Sequence, residues 1–355
     1  MKVCGHLETW ELFLTVRSPL FVGSGKKYPK IEYILNPCTG NAVFLDMERF
    51  MRFMVRRGFV DQYERFVLNR GQNLSVLFDQ CGITDAEIKE MTRCEIDAGS
   101  ALDERHALMD TWSFMRDKRG RAYVPGSSLK GALRTVILTS LILDHPPQHP
   151  GGEIPEWQYL NTLHLNTRKT EDAVNDILRG IQVSDSGYIA DDCMTLCRKR
   201  DLLLPGFRRD RDISSPNVCR ECIKPGTQLR FVLTLDQSVL KGSITGEILL
   251  KMIDRFSNYY FEQYVMQFDL PDHDSGEQFE CCLILGGGSG FFSKTVVYPY
   301  DGKHAVDSVS GQMSRSFQKH GHERDAQYGL SPHTLKYTEY EGKMYHFGVC
   351  GVELR

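Results

Sequence analysis

The residue types best suited to anion binding lie in residues 123–135, where an apolar strand ending, a Pro-Gly turn and an amphipathic helix follow one another. Lys130 and Arg134 are four residues apart, which places both cations on one face of a helix. Free backbone N–H groups in the first helical turn, with Ser127 or Ser128 as the capping hydroxyl, would form a seat for a phosphate. The segment therefore predicts contact with a phosphate-bearing chain. The alternative is an ordinary strand, turn and helix with two solvated cations.

A glycine-rich loop supplies the second set of candidate residues. Residues 286–290 read Gly-Gly-Gly-Ser-Gly and Lys294 follows, but the spacing is neither that of a nucleoside-triphosphate loop nor that of a dinucleotide-binding turn. ATP binding is therefore not expected. Glycines at this position can still expose backbone N–H groups to RNA phosphates, and Lys294 would add a positive charge. A flexible hairpin tip is the alternative.

Composition restricts how such a chain could bind nucleic acid. The 355 residues carry a formal net charge of −3 with a pI near 6.4, whereas proteins that coat nucleic acid non-specifically are strongly basic. Any RNA path must therefore be a local groove. Two basic clusters are present, at residues 116–134 and 198–211, and a solvated face is an equally good explanation for the second. No signal peptide or membrane-spanning stretch is apparent, so a cytoplasmic protein with reduced thiols is expected.

The remaining pattern mixes strands with amphipathic helices. Residues 46–69 and 84–93 read as helices, and a stripe of Met47, Phe50, Met51 and Met54 at helical spacing is typical of core. The proline-rich segment 145–152 predicts a break after the amphipathic helix that carries Lys130 and Arg134. A strong helix is predicted over residues 246–268, and strands over 228–235 and 279–285.

These segments resemble, in order along the chain, the motifs of the RAMP superfamily of CRISPR-associated RNA-binding proteins. Its signature is similar to residues 125–134, its opening strand and loop to residues 12–26, its mid-chain strand to residues 181–186 and its glycine-rich loop to residues 285–295. Residues 220–227 and 329–336 resemble one branch, the fifth Csm subunit of type III-A effector complexes. The matches extend from about residue 12 to about residue 338.

The resemblance implies an α+β fold built on a ferredoxin-like (RRM-like) core, with one or two such units, a helical insertion and a β-hairpin thumb. The expected division is an N-terminal core over residues 1–145 with its insertion at 46–110, a linker and thumb over 146–227, and a C-terminal part with the glycine-rich loop over 228–355. The thumb is expected within residues 188–225.

The resemblance also implies a function. The expected protein is a non-catalytic subunit without cofactor or metal that binds CRISPR guide RNA through its backbone and caps the RNA 3′ end. It would contact the neighbouring RAMP backbone subunit, assist guide-RNA maturation and antiviral defence, and receive trimming nucleases; no membrane partner is expected. The RNA-binding residues expected from the matched motifs are Ser18, Gly23, Ser24, Lys26, Ser127, Ser128, Lys130, Arg134, Gly286, Gly287, Gly288, Ser289, Gly290 and Lys294.

Two alternatives stay open. Asp117 lies shortly before the signature, as does the cleaving aspartate of a related backbone subunit, so an Asp117-dependent endoribonuclease is conceivable; an Asp-x-x-Gly turn is favoured instead. Four cysteines with short spacings, Cys193, Cys197, Cys219 and Cys222, would suit a tetrahedral zinc site in an assembly protein. Free structural thiols are favoured over zinc.

Overall fold

The computed structural model describes residues 1–36, 39–69, 73–101, 110–207, 213–214, 218–270 and 279–355. The strands are β1 (Lys2–Cys4), β2 (Leu7–Val16), β3 (Gly23–Tyr28), β4 (Tyr33–Asn36), β5 (Asn41–Leu45), β6 (Thr92–Asp97), β7 (Thr111–Phe114), β8 (Ile181–Val183), β9 (Met194–Leu203), β10 (Ile213–Ser214), β11 (Cys219–Ile223), β12 (Gln228–Asp236), β13 (Cys282–Ile284), β14 (Thr334–Tyr340), β15 (Lys343–His346) and β16 (Val349–Leu354). The helices are α1 (Met47–Arg57), α2 (Val60–Leu68), α3 (Leu74–Cys81), α4 (Asp85–Met91), α5 (Gly126–Asp144), α6 (Trp157–Leu160), α7 (Gln237–Leu240), α8 (Gly246–Gln263), α9 (Val297–Asp301) and α10 (Ala305–Ser316).

The first sheet has the ferredoxin-like arrangement. Its strand order is β13-β16-β2-β12-β8, with β1 paired to β2, and every pairing is antiparallel. Numbered one to four along the chain, β2, β8, β12 and β16 lie side by side in the order four-one-three-two. Helix α5 lies between the first and second of these strands in the sequence, and α8 lies between the third and fourth. The hydrogen-bonded ladder joins strands from all three segments expected from the sequence. The predicted α+β, ferredoxin-like core is confirmed.

Alternating side chains explain how this sheet forms a core. Leu12 and Leu14 on β2, and Phe231 and Leu233 on β12, are buried while their neighbours reach the other face. Helices α5 and α8 contact each other and cover this sheet. The predicted helix over residues 246–268 begins at Gly246, where the Thr245 hydroxyl accepts a hydrogen bond from the N–H of Ile248.

The second sheet holds ten strands in the path β3-β7-β11-β9-β6-β5-β4, with β10 and β14 paired to β9 and β15 paired to β14. The hairpin strands expected in the thumb, β9 and β11, lie in the interior of this sheet and pair antiparallel over five residue pairs. Both strands are therefore part of the sheet. The segment that joins them covers residues 204–218. Part of that segment, residues 208–212 and 215–217, lies outside the described residues, as do three arginines of the second basic cluster.

Helices α1 to α4 occupy the predicted insertion and have a small core of their own. Phe50 and Met54 are fully buried, and Met47 and Met51 are packed against the same cluster, so the predicted core stripe is confirmed. None of the helices in the described part of the chain combines the length and the apolar character that crossing a bilayer requires.

One buried histidine makes the stability of this fold depend on pH. His346 is 0% exposed, its Nε2 lies 2.7 Å from the Tyr260 hydroxyl, and burial lowers its pKa to about 4. Because the folded-state pKa lies below the unfolded value, this contribution is complete above about pH 6.5 and is lost as the pH falls towards 4.

We expect wild-type protein to lose about 2 kcal/mol more stability than His346→Gln between about pH 7.5 and about pH 5, measured by urea unfolding. The exposed His304 gives the control, and His304→Gln should follow the wild type. Equal pH dependence in His346→Gln and wild type would contradict the assignment.

Candidate nucleic-acid interface

The signature helix begins without the predicted serine cap. Pro125 is the N-cap residue and no side chain of the helix caps it; instead the Asp185 Oδ1 accepts a hydrogen bond of 2.8 Å from the N–H of Gly126. The expectation that Ser127 or Ser128 caps the helix is wrong, because a carboxylate from the segment after β8 already occupies the positive end of the helix. Ser127 is exposed and Ser128 half-buried, so both hydroxyls remain near solvent.

Lys130 and Arg134 do share one helical face, but both are half-buried and bonded to other parts of the protein. The Lys130 ammonium donates a hydrogen bond of 2.7 Å to the Ile181 carbonyl oxygen, and burial lowers the pKa of Lys130. The Arg134 guanidinium forms ion pairs of 2.7 Å with Glu156 and 3.0 Å with Asp176. These contacts fasten α5 to the following segment, and RNA contact by either cation stays a prediction.

Three of the predicted segments meet around one groove of about 390 Å³. The start of β3, one side of α5 and the glycine-rich loop after β13 form its walls. We call this the glycine groove, and the expected site residues that line it are Gly23, Ser128, Gly286, Gly287 and Lys294. Gly131 also lines it and leaves open space where a side chain would begin. Widely separated parts of the sequence thus form one surface.

The glycine-rich loop is attached to the chain just before β3. The N–H of Gly287 donates a hydrogen bond of 2.6 Å to the Phe21 carbonyl oxygen. Gly286 has φ of +82°, and a Cβ at this position would lie 2.1 Å from the same oxygen. Only glycine allows this approach, so the sequence of the loop determines the width of the groove.

Two cations lie at the glycine-rich loop. Lys294 reaches solvent in the glycine groove and has no ion pair within the described part of the chain. Arg220 lies beneath the loop, with its Cζ 3.1 Å from where a Cβ on Gly288 would be, and its buried Nη1 has no hydrogen-bond partner among the residues described. Burial, with Arg220 as the second cause, lowers the pKa of Lys294. Lys294 and Arg220 together create a positive potential at the loop, and a bound anion would be stabilised by it.

Sequence reasoning did not select Arg220 as a site residue. The residue was visible only as part of a short match at residues 220–227. The sequence of residues 220–227 does not indicate that β11 lies beneath the glycine-rich loop, which is more than sixty residues further along the chain.

Other predicted residues hold the backbone near the groove. Ser18 is fully buried and its Oγ accepts a hydrogen bond of 2.8 Å from the N–H of Val349. Ser289 is also fully buried and donates to the Gly286 carbonyl oxygen at 3.2 Å. Both serines shape the backbone, and a direct RNA contact by them stays a prediction.

The region expected to be an opening loop is a strand. Residues 23–28 form β3 and pair with β7 across an irregular register. Ser24 hydrogen-bonds to Ser113 on β7, whereas Lys26 is exposed. Gly290, at the far end of the glycine-rich loop, packs near Lys336 rather than in the groove. Lys26 thus remains accessible, while Ser24 is engaged with the sheet.

Comparison with known proteins identifies the family. A family model described as "RAMP superfamily" matches residues 13–353 of this chain. The chain belongs to the RAMP superfamily. It is 26% identical to the CRISPR system Cms protein Csm5 of Mycobacterium tuberculosis (strain ATCC 25618 / H37Rv), over 99% of this chain and 98% of that protein. Identity to the protein of the same name from Streptococcus thermophilus is 25%, over 83% and 82% of the two chains.

Solved structures of this superfamily share the fold. A chain in the cryo-EM structure of a Csm-crRNA-target RNA ternary complex in a type III-A CRISPR-Cas system matches with a TM-score of 0.68 at 17% identity, covering 97% of this chain and all of that one (100%). The crystal structure of T.onnurineus Csm5 matches with a TM-score of 0.60 at 13% identity, covering 96% and 99%. The predicted resemblance to the superfamily and to its Csm5 branch is confirmed.

The catalytic candidate of this RAMP protein is part of a tight turn. The Asp117 Oδ1 accepts hydrogen bonds from the N–H groups of Arg119 at 2.8 Å and Arg121 at 2.9 Å, and the N–H of Gly120 closes the turn on the Asp117 carbonyl oxygen at 2.9 Å. The bond from the Arg121 N–H is the largest cause of the lowered pKa of Asp117. The predicted Asp-x-x-Gly turn is confirmed.

The four cysteines considered for zinc do not form a cluster of ligands. Cys197 on β9 and Cys219 and Cys222 on β11 are buried, and burial raises the pKa of Cys219 to about 12. Within the described ranges, the one group of three or more ligating side chains close enough to share an ion is His322, Asp325 and His333.

Substitutions at two glycines of the groove should change the stability of the protein in opposite directions. We expect Gly286→Ala to destabilise the protein by more than about 2 kcal/mol, because the new Cβ meets backbone and the positive φ is strained. Gly131→Ala should gain about 0.5–1 kcal/mol, because a Cβ in an exposed helix interior meets nothing. Urea unfolding of both variants tests this, and a Gly286→Ala protein as stable as wild type would contradict the attachment to Phe21.

Proposed function

We propose that this chain is a non-catalytic guide-RNA-binding subunit of a type III-A Csm effector complex, and that it caps the 3′ end of the guide RNA. The observation that carries the proposal is the convergence of β3, α5 and the glycine-rich loop on the glycine groove, with Lys294 and Arg220 at the loop. Similarity to Csm5 proteins along nearly the whole chain supports it. The chain's partners are then the guide RNA and other Csm subunits, with the neighbouring RAMP backbone subunit next to it.

The lining of the groove fits contact with a nucleic-acid backbone. Glycines without side chains allow a backbone to approach closely, hydroxyls such as that of Ser128 offer O–H donors, and Lys294 offers a charge, all of which suit phosphates and riboses. No base-reading pair such as Asn or Gln lines the groove among the residues described. Binding of this kind is indifferent to sequence, as required of a subunit that accepts any spacer.

The same lining argues against cleavage in the groove. Its described walls contain no carboxylate and no histidine, which are the side chains that most often activate a hydroxyl. Asp117 is occupied by the hydrogen bonds of its own turn. The roles in guide-RNA maturation and antiviral defence, the docking of trimming nucleases and the cytoplasmic location remain predictions that follow from the proposed complex.

A direct test measures single-stranded RNA binding by fluorescence anisotropy at several salt concentrations, with two RNAs of unrelated sequence. We expect Lys294→Ala to weaken binding to both RNAs equally. The slope of log affinity against log salt should fall by about 0.7, the value for one lost phosphate contact on a single strand. The exposed Lys303, outside the groove, provides the matched control, and Lys303→Ala should bind like wild type.

Gly131 offers a second variant that leaves the fold intact. Gly131→Glu places a carboxylate in open space at the groove, so RNA affinity should fall by at least tenfold, roughly the effect of like-charge repulsion at a phosphate. Gly131→Ala should bind normally. Undiminished binding by both Lys294→Ala and Gly131→Glu would show that RNA does not use this groove.

The capping role is tested in the reconstituted complex by sequencing the bound guide RNA. Lys294→Ala and Gly131→Glu together should shorten or blur the 3′ ends while leaving the 5′ ends unchanged, because an unbound 3′ end is open to exonucleases. Asp117→Ala should leave target-RNA cleavage unchanged. Sharp, wild-type 3′ ends in the double variant would contradict capping, and lost cleavage in Asp117→Ala would favour the endoribonuclease alternative.

A further inference from the structure

A second concave site lies at the other end of the glycine-rich loop. This pocket has a volume of about 330 Å³ and is bounded by β9, β14, α10 and the residue after Gly290. We call it the aromatic pocket, since Phe291 and Phe317 face it together with His320 and His322. Its volume is at the lower end of the range for small-molecule sites, roughly 300–1,000 Å³, which suits one nucleotide rather than a duplex.

The aromatic pocket continues the path of the glycine groove. Gly286 and Gly287 line the groove, and Phe291, four residues after Gly287, lines the pocket. A Cβ on Gly290 would lie 3.4 Å from the Lys336 Cγ, and Lys336 lines the pocket as well. A strand of RNA that follows the loop therefore arrives at the pocket.

The base of the pocket carries a net positive charge. Lys199 and Lys336 each form an ion pair of 2.9 Å with Asp201, which leaves two ammonium groups on one carboxylate. Lys336 also donates to the Thr334 hydroxyl at 2.8 Å. An anionic ligand is favoured over a neutral apolar side chain.

A buried hydrogen-bond network fixes one wall. Asp325 is fully buried and accepts from the Nδ1 of His322 at 2.9 Å, the Nδ1 of His333 at 2.6 Å and the Ser331 hydroxyl at 2.6 Å. Burial raises the pKa of Asp325, but these hydrogen bonds outweigh it and lower the pKa to about 2. Since the carboxylate can only accept, each Nδ1 carries its proton. The orientation of His322 at the pocket is therefore set before any ligand arrives.

Two rings next to His322 are exposed, with their centres 6.3 Å (Phe317) and 6.2 Å (His320) from the centre of its ring. Phe317 is 50% exposed and His320 is also exposed, with their ring centres 5.8 Å apart. Exposed aromatic rings next to cations are the surfaces on which proteins stack the bases of single-stranded RNA. Phe317 is the one phenylalanine among the exposed large apolar side chains of the described residues.

We propose that the aromatic pocket binds one unpaired nucleotide of the RNA held by the glycine groove, with the base stacked on the exposed ring of Phe317, the edge of the base beside His320, whose ring is inclined by 72° to that of Phe317, and the phosphate near Lys199 and Lys336. The proposal rests on the function proposed above and adds a position at which a base, rather than the backbone, is held. Stacking has little sequence preference, so this position agrees with a subunit that accepts any spacer.

The test uses the full chain and a single-stranded RNA in which 2-aminopurine replaces each base in turn. A stacked base loses fluorescence, so wild-type protein should quench one position, or two adjacent ones, more strongly than the rest. Phe317→Ala should remove this quenching and weaken RNA binding about tenfold, whereas Phe317→Tyr should retain both. Trp157 on α6 is an exposed aromatic away from both sites, and Trp157→Ala should behave like wild type.

The outcomes separate this proposal from the one on which it rests. Uniform quenching along an RNA that binds the wild type would overturn the pocket and leave the glycine groove standing. Absence of RNA binding by the wild type, alone and in the reconstituted complex, would overturn both. If Phe317→Ala instead detaches a neighbouring Csm subunit with the fluorescence pattern unchanged, the pocket holds protein and the nucleotide proposal is wrong.

Discussion

The position of the glycine groove depends on the buried carboxylate of Glu221. It is fully buried on β11, accepts a hydrogen bond of 2.8 Å from the N–H of Phe114 on β7, and pairs with the Arg116 guanidinium. The parallel ladder between β7 and β11 comprises only two residue pairs, so this ionic contact supplies much of what holds the strands together. Because β3 pairs with β7, the wall of the glycine groove that begins at Gly23 is held in place through Glu221.

A buried ion pair of this kind is valuable for geometry more than for stability. The desolvation of Glu221 and Arg116 offsets most of their attraction, yet loss of one partner would leave an uncompensated buried charge, typically at a cost of about 3–5 kcal/mol. Arg116 also donates to the Gly120 carbonyl oxygen at 2.7 Å and pairs with Asp191 at 3.0 Å. The turn before the signature helix, β7 and β11 are thereby connected at one point.

Alternation along β11 then separates two electrostatic environments. Glu221 points to the buried ion pair, and its neighbour Arg220 points the other way, beneath the glycine-rich loop. Arg220 has rings of Phe21 and Phe347 within 5.6 Å and 5.3 Å of its guanidinium, but it has no carboxylate within bonding distance in the described chain. A cation left in this state is unfavourable for folding and favourable for an anionic ligand, which is the usual relation between stability and a binding site.

Several elements could be predicted from the sequence, because hydrophobic periodicity and turn preferences act locally. The helix beginning at Gly246, the core stripe of Phe50 and Met54, and the turn at Asp117 all follow from spacing within a few residues. The superfamily resemblance indicated which segments bind RNA, and the structure shows that three of them meet around one groove. The partners of Lys130 and Arg134 could not be predicted. Their spacing shows that they lie on the same face of the helix, but it does not show which distant segment packs against that face.

That covering segment explains how an acidic protein could still bind RNA. Glu156 and Asp176 neutralise Arg134, and similar pairs engage Arg57, Arg230 and Arg255 elsewhere. Such pairs neutralise these arginines, whereas Lys294 and Arg220 have no carboxylate partner in the described part of the chain. The net charge of −3 is then no obstacle to RNA binding, because over a Debye length of about 8 Å a phosphate senses the nearby cations rather than the sum over the whole chain. Net acidity would instead disfavour contact outside the groove and limit the protein to one path for the strand.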